Sequence, residues 1–205
     1  MSNHTIPRDD RQAVVDTIAG EHRAIGQVLE TVRELLESIA AEHSAPDFEL
    51  LSIALYYIDD FPKRCHHPKE DRYLFRAIRR YAPQQSGTVN MLESEHVVDA
   101  QMLHDLHSAL VRYQAGAPDG LQRLRANVDV YCAMLREHMR KEEKLLSNIG
   151  FDFPADVWRE IADAFAAEGD PLFGRTTRRE FDRLRDRIAH RLPSKLRLDK
   201  QRTTS

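Results

Sequence analysis

The stretch Leu135-Arg136-Glu137-His138-Met139-Arg140-Lys141-Glu142-Glu143-Lys144-Leu145 places two polar side chains where a helix would otherwise bury apolar ones. His138 and Glu142 are four residues apart and continue the spacing of an apolar stripe formed by Leu121, Leu124, Val128, Tyr131 and Leu135. Residues with this spacing share one face of an α-helix. A carboxylate on a buried face is costly unless it is paired or binds a metal. The stretch therefore predicts a core-facing helix that carries metal ligands.

The same spacing occurs a second time, in His66-His67-Pro68-Lys69-Glu70-Asp71-Arg72-Tyr73-Leu74-Phe75. His66 and Glu70 are again one helical turn apart and form a second candidate chelating pair. Two further histidines occupy apolar stripes, His22 in the first predicted helix and His96 in the third. Six candidate ligands are thus spread over four helices and are expected to converge inside the protein.

Apolar periodicity predicts four long helices, at about residues 9–42, about 47–81, from after Gly87 to about Ala115, and about 121–147. Pro62 and Pro68 are expected to kink or split the second helix, because proline removes a backbone donor. The connections are short turns, so consecutive helices should be antiparallel neighbours. The predicted fold class is all-α, an antiparallel up-down four-helix bundle with additional C-terminal helices.

Three regions are expected along the chain. Residues 1–150 form the bundle with its metal site, residues 151–192 form a C-terminal helical extension packing on the bundle, and residues 193–205 form a flexible tail. The basic helix in the extension alternates arginines with acidic residues, which is typical of a solvated face rather than of a nucleic-acid interface.

Composition favours a soluble protein in a reducing compartment. The chain has 205 residues, of which 41% are hydrophobic and 31% charged, with a formal net charge of −3. No nucleic-acid partner is expected at this charge. The longest apolar run, Leu50 to Ile58, is too short to cross a bilayer. The two cysteines do not make a disulfide framework, and no apolar signal region is visible, so we expect a cytoplasmic location.

The mixture of imidazole and carboxylate ligands suits iron, manganese or zinc. A structural zinc needs only four ligands, so six candidates are too many for one such ion. Two carboxylates in one site indicate bridging between two ions. Ferritin-like bundles use Glu-x-x-His on two helices, and here Glu93-x-x-His96 alone has that form, which makes the ferritin-like alternative the weaker one.

Taken together, these motifs resemble the hemerythrin family, in particular its bacterial His-His-Glu cation-binding branch, over roughly residues 10 to 150. The resemblance implies two iron ions joined by an oxo or hydroxo bridge, with manganese or zinc as alternatives. It implies Glu70 and Glu142 as bridging ligands. The implied terminal ligands are His22, His66, His96 and His138.

One position departs from the family pattern. Many members have a second histidine one turn after the third-helix histidine, and here that position is Ala100. The resemblance then implies an open coordination position and argues against simple reversible oxygen carriage. His67, Glu95 or His107 could substitute as a ligand or support the site from its second shell, and spacing alone does not choose among them.

The function expected from the resemblance is binding of, or reaction with, dioxygen, nitric oxide or peroxide, in sensing, detoxification or iron and oxygen homeostasis. Two alternatives stay open. One is an enzyme on the same bundle that disproportionates peroxide or repairs iron clusters. The other is a metal-free bundle that serves as an interaction scaffold.

Overall fold

All regular secondary structure in the part of the chain that the structure describes is helical, which confirms the predicted all-α class. The structure is a computed structural model and describes residues 9–42, 45–149, 153–167, 169–174 and 177–191. The α-helices are α1 (Asp10–Glu42), α2 (Phe48–Phe61), α3 (His67–Lys69), α4 (Phe75–Tyr81), α5 (Ser86–Gln114), α6 (Gly120–Asn148), α7 (Ala155–Ala167) and α8 (Asp182–Arg191). Short 3₁₀ turns at Pro83–Gln85 and Arg179–Phe181 precede α5 and α8.

The second predicted helix winds on from residue 48 to residue 81, but it is not a regular α-helix. Two π-helical segments, Pro62–His66 and Glu70–Leu74, lie on either side of α3. The backbone N–H groups that close these wide turns are those of His67, which donates to the Pro62 carbonyl, and of Phe75, which donates to the Glu70 carbonyl. The expected kink or split is therefore replaced by two wide turns.

Proline chemistry accounts for the first wide turn. Pro68 has no N–H to donate to the carbonyl of Arg64, and in a regular α-helix its ring would press against that carbonyl. Widening the turn by one residue relieves this clash without ending the helix. Single π-helical turns inside α-helices are frequent at functional sites, and here they contain His66 and Glu70.

Polar contacts show how the long helices lie against one another. Between α1 and α6, Arg33 contacts Asp129 and Glu30 contacts Arg136, so residue numbers rise on one helix as they fall on the other. Between α5 and α6, the hydroxyl of Tyr131 donates to Asp99. The tight connection between α5 and α6 includes Gly116. Among the residues that the structure describes, it is the one glycine with a positive φ, of 77°.

Two apolar clusters fill the interior. On each helix that carries candidate ligands, these ligands lie between the two clusters. On α1, His22 lies between Ile18 of one cluster and Ile25 of the other. Along the second helical stretch, the ligand positions likewise lie between Phe61 and Leu74. The fold therefore encloses a polar layer between two layers of buried hydrocarbon.

The C-terminal helices contribute to the same two clusters. Helix α7 contacts α1 and adds Trp158, Ile161 and Phe165 to the cluster that contains Ile18. Helix α8 contacts α2, and Leu184 and Ile188 join the other cluster. The boundary at residue 150 stays a prediction, and the tail expected at residues 193–205 lies outside the described residues.

Candidate metal centre

The polar layer brings together all six side chains that the sequence singled out. His22, His66, Glu70, His138 and Glu142 are each less than 5% exposed, and the side chain of His96 is 9% exposed. Their donor atoms form two neighbouring groups in which all atoms lie within 4.8 Å of one another. One group is His22, His66, Glu70 and Glu142; the other is His67, His96 and His138.

The two carboxylates lie among the imidazoles of both groups. Glu142 Oε2 is 3.1 Å from His22 Nε2, and Glu142 Oε1 is 2.9 Å from His138 Nε2. Glu70 Oε1 is 3.5 Å from His66 Nε2, and Glu70 Oε2 is 3.7 Å from His96 Nε2. Each carboxylate thus has one oxygen near each group, which is the arrangement that two bridged ions would need.

Several of these polar atoms are buried without a hydrogen-bond partner among the described residues. They include Nε2 of His22 and His138 and both carboxylate oxygens of Glu70 and Glu142. The nitrogen–oxygen distances are short, but the groups do not meet with hydrogen-bond geometry. An unsatisfied buried polar group costs about 1–3 kcal/mol, and such groups are rare in folded proteins. Metal ions between these lone pairs would satisfy them, so the donor set fits a metal centre.

The other ring nitrogens face carboxylates. Hydrogen bonds join the Nδ1 atoms of His66, His138 and His22 to Glu21 at 2.7 Å, Glu95 at 2.9 Å and Glu143 at 3.0 Å, respectively. For His96, Asp71 Oδ1 lies 3.3 Å from Nδ1. A carboxylate on the outer nitrogen fixes the ring orientation and leaves Nε2 free to bind a metal. This outer layer is typical of metal-binding histidines.

Glu21 is the site residue that sequence reasoning missed. It is 5% exposed, and its oxygens accept hydrogen bonds from His66 Nδ1 at 2.7 Å and Lys69 Nζ at 2.8 Å. A signal was present, because position 21 lies on the stripe that includes Ile18 and Ile25. Glu143 is 53% exposed and bonds to His22.

Proximity drives the pKa values of the two central carboxyls apart. Burial, followed by the charge of Glu142, raises the pKa of Glu70 well above its usual range. Burial also acts to raise the pKa of Glu142, but His138, His22 and His96 outweigh it and hold that pKa well below its usual range. Without cations, therefore, Glu70 holds its proton more tightly than an ordinary glutamate does, and a bridging role would require its release.

The pKa values of the imidazoles are also shifted in opposite directions. Burial acts to lower the pKa of His96, but the nearby carboxylates of Asp71 and Glu142 outweigh it and raise the pKa to about 9. Burial lowers the pKa of His66 despite the opposing effect of Glu21. Burial, followed by the charge of His96, lowers the pKa of His67 well below its usual range.

The structure places two residues of the third helix away from the clustered donor atoms. Ala100 is exposed on α5 and does not face the site; the buried residue one turn after His96 is Asp99, which accepts a hydrogen bond from Tyr131 at 2.8 Å. His107 lies outside both donor groups, with a side chain 39% exposed and Nε2 3.6 Å from Asp59. The orientation of α5 about its own axis, which packing decides, accounts for both differences.

A chain whose described elements are all helices, and which buries imidazoles and carboxylates together in this way, has the donor chemistry of a helical cation-binding domain. The family model described as the hemerythrin HHE cation binding domain matches residues 13–149, which is more than half of the chain. The protein belongs to this family, as its motifs predicted. In the comparisons, neither a curated protein nor a solved structure matched the chain. Among the described residues, no helix combines the length and the apolar character needed to cross a membrane.

Proposed function

We propose that this protein is a cytoplasmic non-haem di-iron protein that binds or reacts with a small ligand such as dioxygen, nitric oxide or peroxide. Its role would be sensing, detoxification or iron and oxygen homeostasis. One observation carries the proposal: Glu70 and Glu142 each present one oxygen to each of two neighbouring donor groups. The proposed ligands are His22, His66, Glu70, His96, His138 and Glu142.

The proposal includes the arrangement of the helices. The four long helical stretches would form an up-down antiparallel bundle around the metal centre, since short connections favour antiparallel neighbours. Contacts between the second stretch and α5 support this, because residue numbers again run in opposite directions. Asp59 pairs with His107, Asp71 with His96, and Arg79 with Glu93.

Two irons, when bound, would supply redox chemistry and coordination positions for a small ligand. The chain orients the imidazoles through their outer carboxylates and excludes bulk water with the two apolar clusters. An open cleft of about 200 Å³ lies between the second helical stretch, where Cys65, Pro68 and Lys69 line it, and α7. Lys69 bonds to Glu21, and Glu21 bonds to His66, so this cleft is connected to the centre through two hydrogen bonds.

Metal content and the visible spectrum test the proposal. Protein produced with abundant iron and purified in air should contain two iron atoms per chain and show a charge-transfer absorption band. Glu142→Gln should lose most of both signals, whereas Glu137→Gln, an exposed position on the same helix, should keep them. A colourless wild-type protein without bound metal would contradict the proposal.

The alternative of a metal-free scaffold differs from the proposal in what it predicts for thermal stability when metal is removed. A ligand at about a thousand times its dissociation constant stabilises the folded state by about 4 kcal/mol. For a chain of this size that corresponds to a rise in Tm of roughly 10 °C. Removing the metal with a chelator should therefore lower Tm clearly, and the same Tm with and without metal would favour the scaffold. The unsatisfied buried atoms of Glu70 and Glu142 argue against the scaffold.

A further inference from the structure

A depression lined by arginines runs between the second helical stretch and α7. It consists of the open cleft of about 200 Å³ and an adjoining cavity of about 60 Å³, and Arg72 and Tyr73 line both of them. Arg76 and Arg80 line the smaller cavity, so three arginines spaced four residues apart face the same depression. We call it the arginine cleft. None of the residues that line it is a candidate metal ligand.

Three of the cations in the arginine cleft lack an acidic partner. Among the residues that the structure describes, no carboxylate oxygen lies within 4.0 Å of the guanidinium nitrogens of Arg72, Arg76 or Arg80. Arg80 instead lies over the ring of Tyr81, 5.2 Å from its centroid. Among the described residues that line the two cavities, Glu160 alone is acidic. A concave surface with an excess of one charge concentrates ions of the opposite charge, so the cleft attracts anions.

The other two cations line the larger cavity and are paired. Arg64 Nη1 lies 3.4 Å from Asp60, and Lys69 Nζ donates to Glu21 at 2.8 Å. On the opposite wall, α7 contributes the small side chains of Ala164 and Ala167, which carry no charge. The cleft therefore has open space next to its unpaired guanidinium groups.

The arrangement of the guanidinium groups indicates the chemistry of the ligand. A guanidinium group stays charged and matches the oxygens of a phosphate through two parallel hydrogen bonds. Side chains four residues apart on a helix lie about 5–6 Å apart at Cβ. The row formed by Arg72, Arg76 and Arg80 therefore suits several anionic groups in sequence rather than a single one. Tyr73, which is 37% exposed, offers beside this row a ring on which a planar group can stack.

We propose that the arginine cleft binds a small ligand with two or more phosphate groups in a row, the chemistry shared by a free polyphosphate chain and a nucleoside diphosphate. Arg72 and Arg76 bind the phosphates, and the ring of Tyr73 lies against the base where the ligand has one. The inference goes beyond the proposed function and does not rest on it, because none of these residues holds the metal.

Isothermal titration calorimetry of the whole, metal-loaded chain with pyrophosphate and with ADP tests the inference. Each probe should bind at one site per chain, and more weakly as the salt concentration rises. Arg72→Gln and Arg76→Gln should each weaken binding by at least about tenfold, since a hydrogen bond between charged groups is lost. Arg72→Lys keeps the charge without the planar fork and should weaken binding less. The matched control is Arg187→Gln, an exposed arginine of α8, which should bind as wild type does.

The outcomes separate this site from the metal centre, to which phosphates can also bind. Because Arg72 and Arg76 are exposed, the variants should keep the wild-type circular dichroism and metal content. Tighter binding of ADP than of pyrophosphate would identify a nucleotide as the ligand, and equal affinities would identify the phosphate chain. No binding by wild type, or unchanged binding by both glutamine variants, would overturn the inference while the proposed function stands. A protein without bound metal would contradict the proposed function alone, since the cleft can be titrated without the metal.

Discussion

At the scale of single residues, carboxylates hydrogen-bonded to the imidazoles fix the orientation of the rings in the interior of this protein. Glu21 is the most buried of the outer carboxylates. Burial acts to raise its pKa, but His66 and Lys69 outweigh that effect and lower the pKa, so the group is ionised in the folded protein. An ionised acceptor on Nδ1 strengthens the donor character of Nε2 on the metal side of the ring. Glu21 should therefore influence metal binding without touching the metal.

Glu21→Gln is expected to weaken metal binding by about 10-fold to 100-fold, the usual range for losing an outer carboxylate. Competition between the protein and a chromophoric chelator would measure this. Glu143→Gln is the matched control, because Glu143 makes the same kind of bond to His22 but is 53% exposed. Its effect should be smaller, and equal effects of the two variants would show that burial of the carboxylate does not matter.

A second residue-scale prediction concerns Asp170, which is not one of the proposed ligands. Its carboxylate accepts hydrogen bonds from the Tyr57 hydroxyl at 2.9 Å and from the Leu172 backbone at 2.7 Å. Burial raises the pKa of Asp170 above 3.8, and these hydrogen bonds offset the rise only in part. The folded state therefore binds this proton more tightly than the unfolded state does.

The resulting stability contribution is present below pH 3.8 and is lost as the pH rises through the higher folded-state pKa. Asp170→Asn has no proton to lose at this position. The free energy of unfolding of wild type relative to Asp170→Asn should thus fall as the pH rises above about 4. Urea unfolding of both metal-free proteins at each pH measures it. A difference that stays constant, or grows with pH, would contradict the raised pKa.

At the scale of elements, the connection between α5 and α6 depends on a close approach of two backbones. A Cβ atom added at Gly120 would lie 2.6 Å from Tyr113 Cα, a distance that real contacts do not show. The obstacle is backbone rather than the end of a flexible side chain, so the whole turn would have to shift. The first residue of α6 must therefore be glycine for the two helices to keep this spacing.

Gly120→Ala should destabilise the protein by about 1–3 kcal/mol, the usual cost of overpacking. Gly26→Ala is the control, since Gly26 lies within α1 and an added Cβ meets nothing within 4 Å. That change should instead stabilise the protein by about 0.5–1 kcal/mol, because alanine loses less backbone entropy in a helix. Thermal and urea unfolding would compare them, and a neutral Gly120→Ala would show that the turn adapts.

The second helical stretch shows how an element can serve a site. A regular α-helix containing Pro68 would be kinked. The two π-helical segments accommodate the proline and at the same time bury His66, His67 and Glu70. The irregular backbone is thus located where the proposed ligands are.

At the scale of the whole molecule, α7 shares its hydrophobic core with the helices of the metal centre. Trp158 stacks on Phe153, and Phe165 lies beneath the ammonium of Lys69, 5.0 Å from the ring centroid. Lys69 in turn bonds to Glu21. The extension that follows the family-matched region is therefore in contact with the outer layer of the site.

This shared core predicts that α7 and the rest of the protein unfold together. Trp158 is the single tryptophan of the chain, so its fluorescence reports on α7, while far-ultraviolet circular dichroism reports on all helices. Both signals should give the same urea midpoint, as expected for one cooperative unit. An earlier fluorescence transition would show that the region after residue 150 is a separate unit.

The sequence by itself determined the helices and six of the candidate ligands. Helical periodicity is a local property, so a polar residue in an apolar stripe can be recognised without knowing which helix it will face. His138 and Glu142 are the clearest examples, because the apolar residues on both sides define their face. The family pattern in the same motifs then predicted the class of protein that the family match confirms.

Only the tertiary structure decided how each helix is rotated toward its neighbours. Residues 99 and 100 differ by one step around α5, and packing alone determines that Asp99 is inside and Ala100 outside. Periodicity assumes a regular helix, and two π-helical segments interrupt the second helical stretch. Glu21 acquires its role because His66 and Lys69 approach it from a distant part of the chain. Such pairings depend on long-range packing, which a local pattern does not contain.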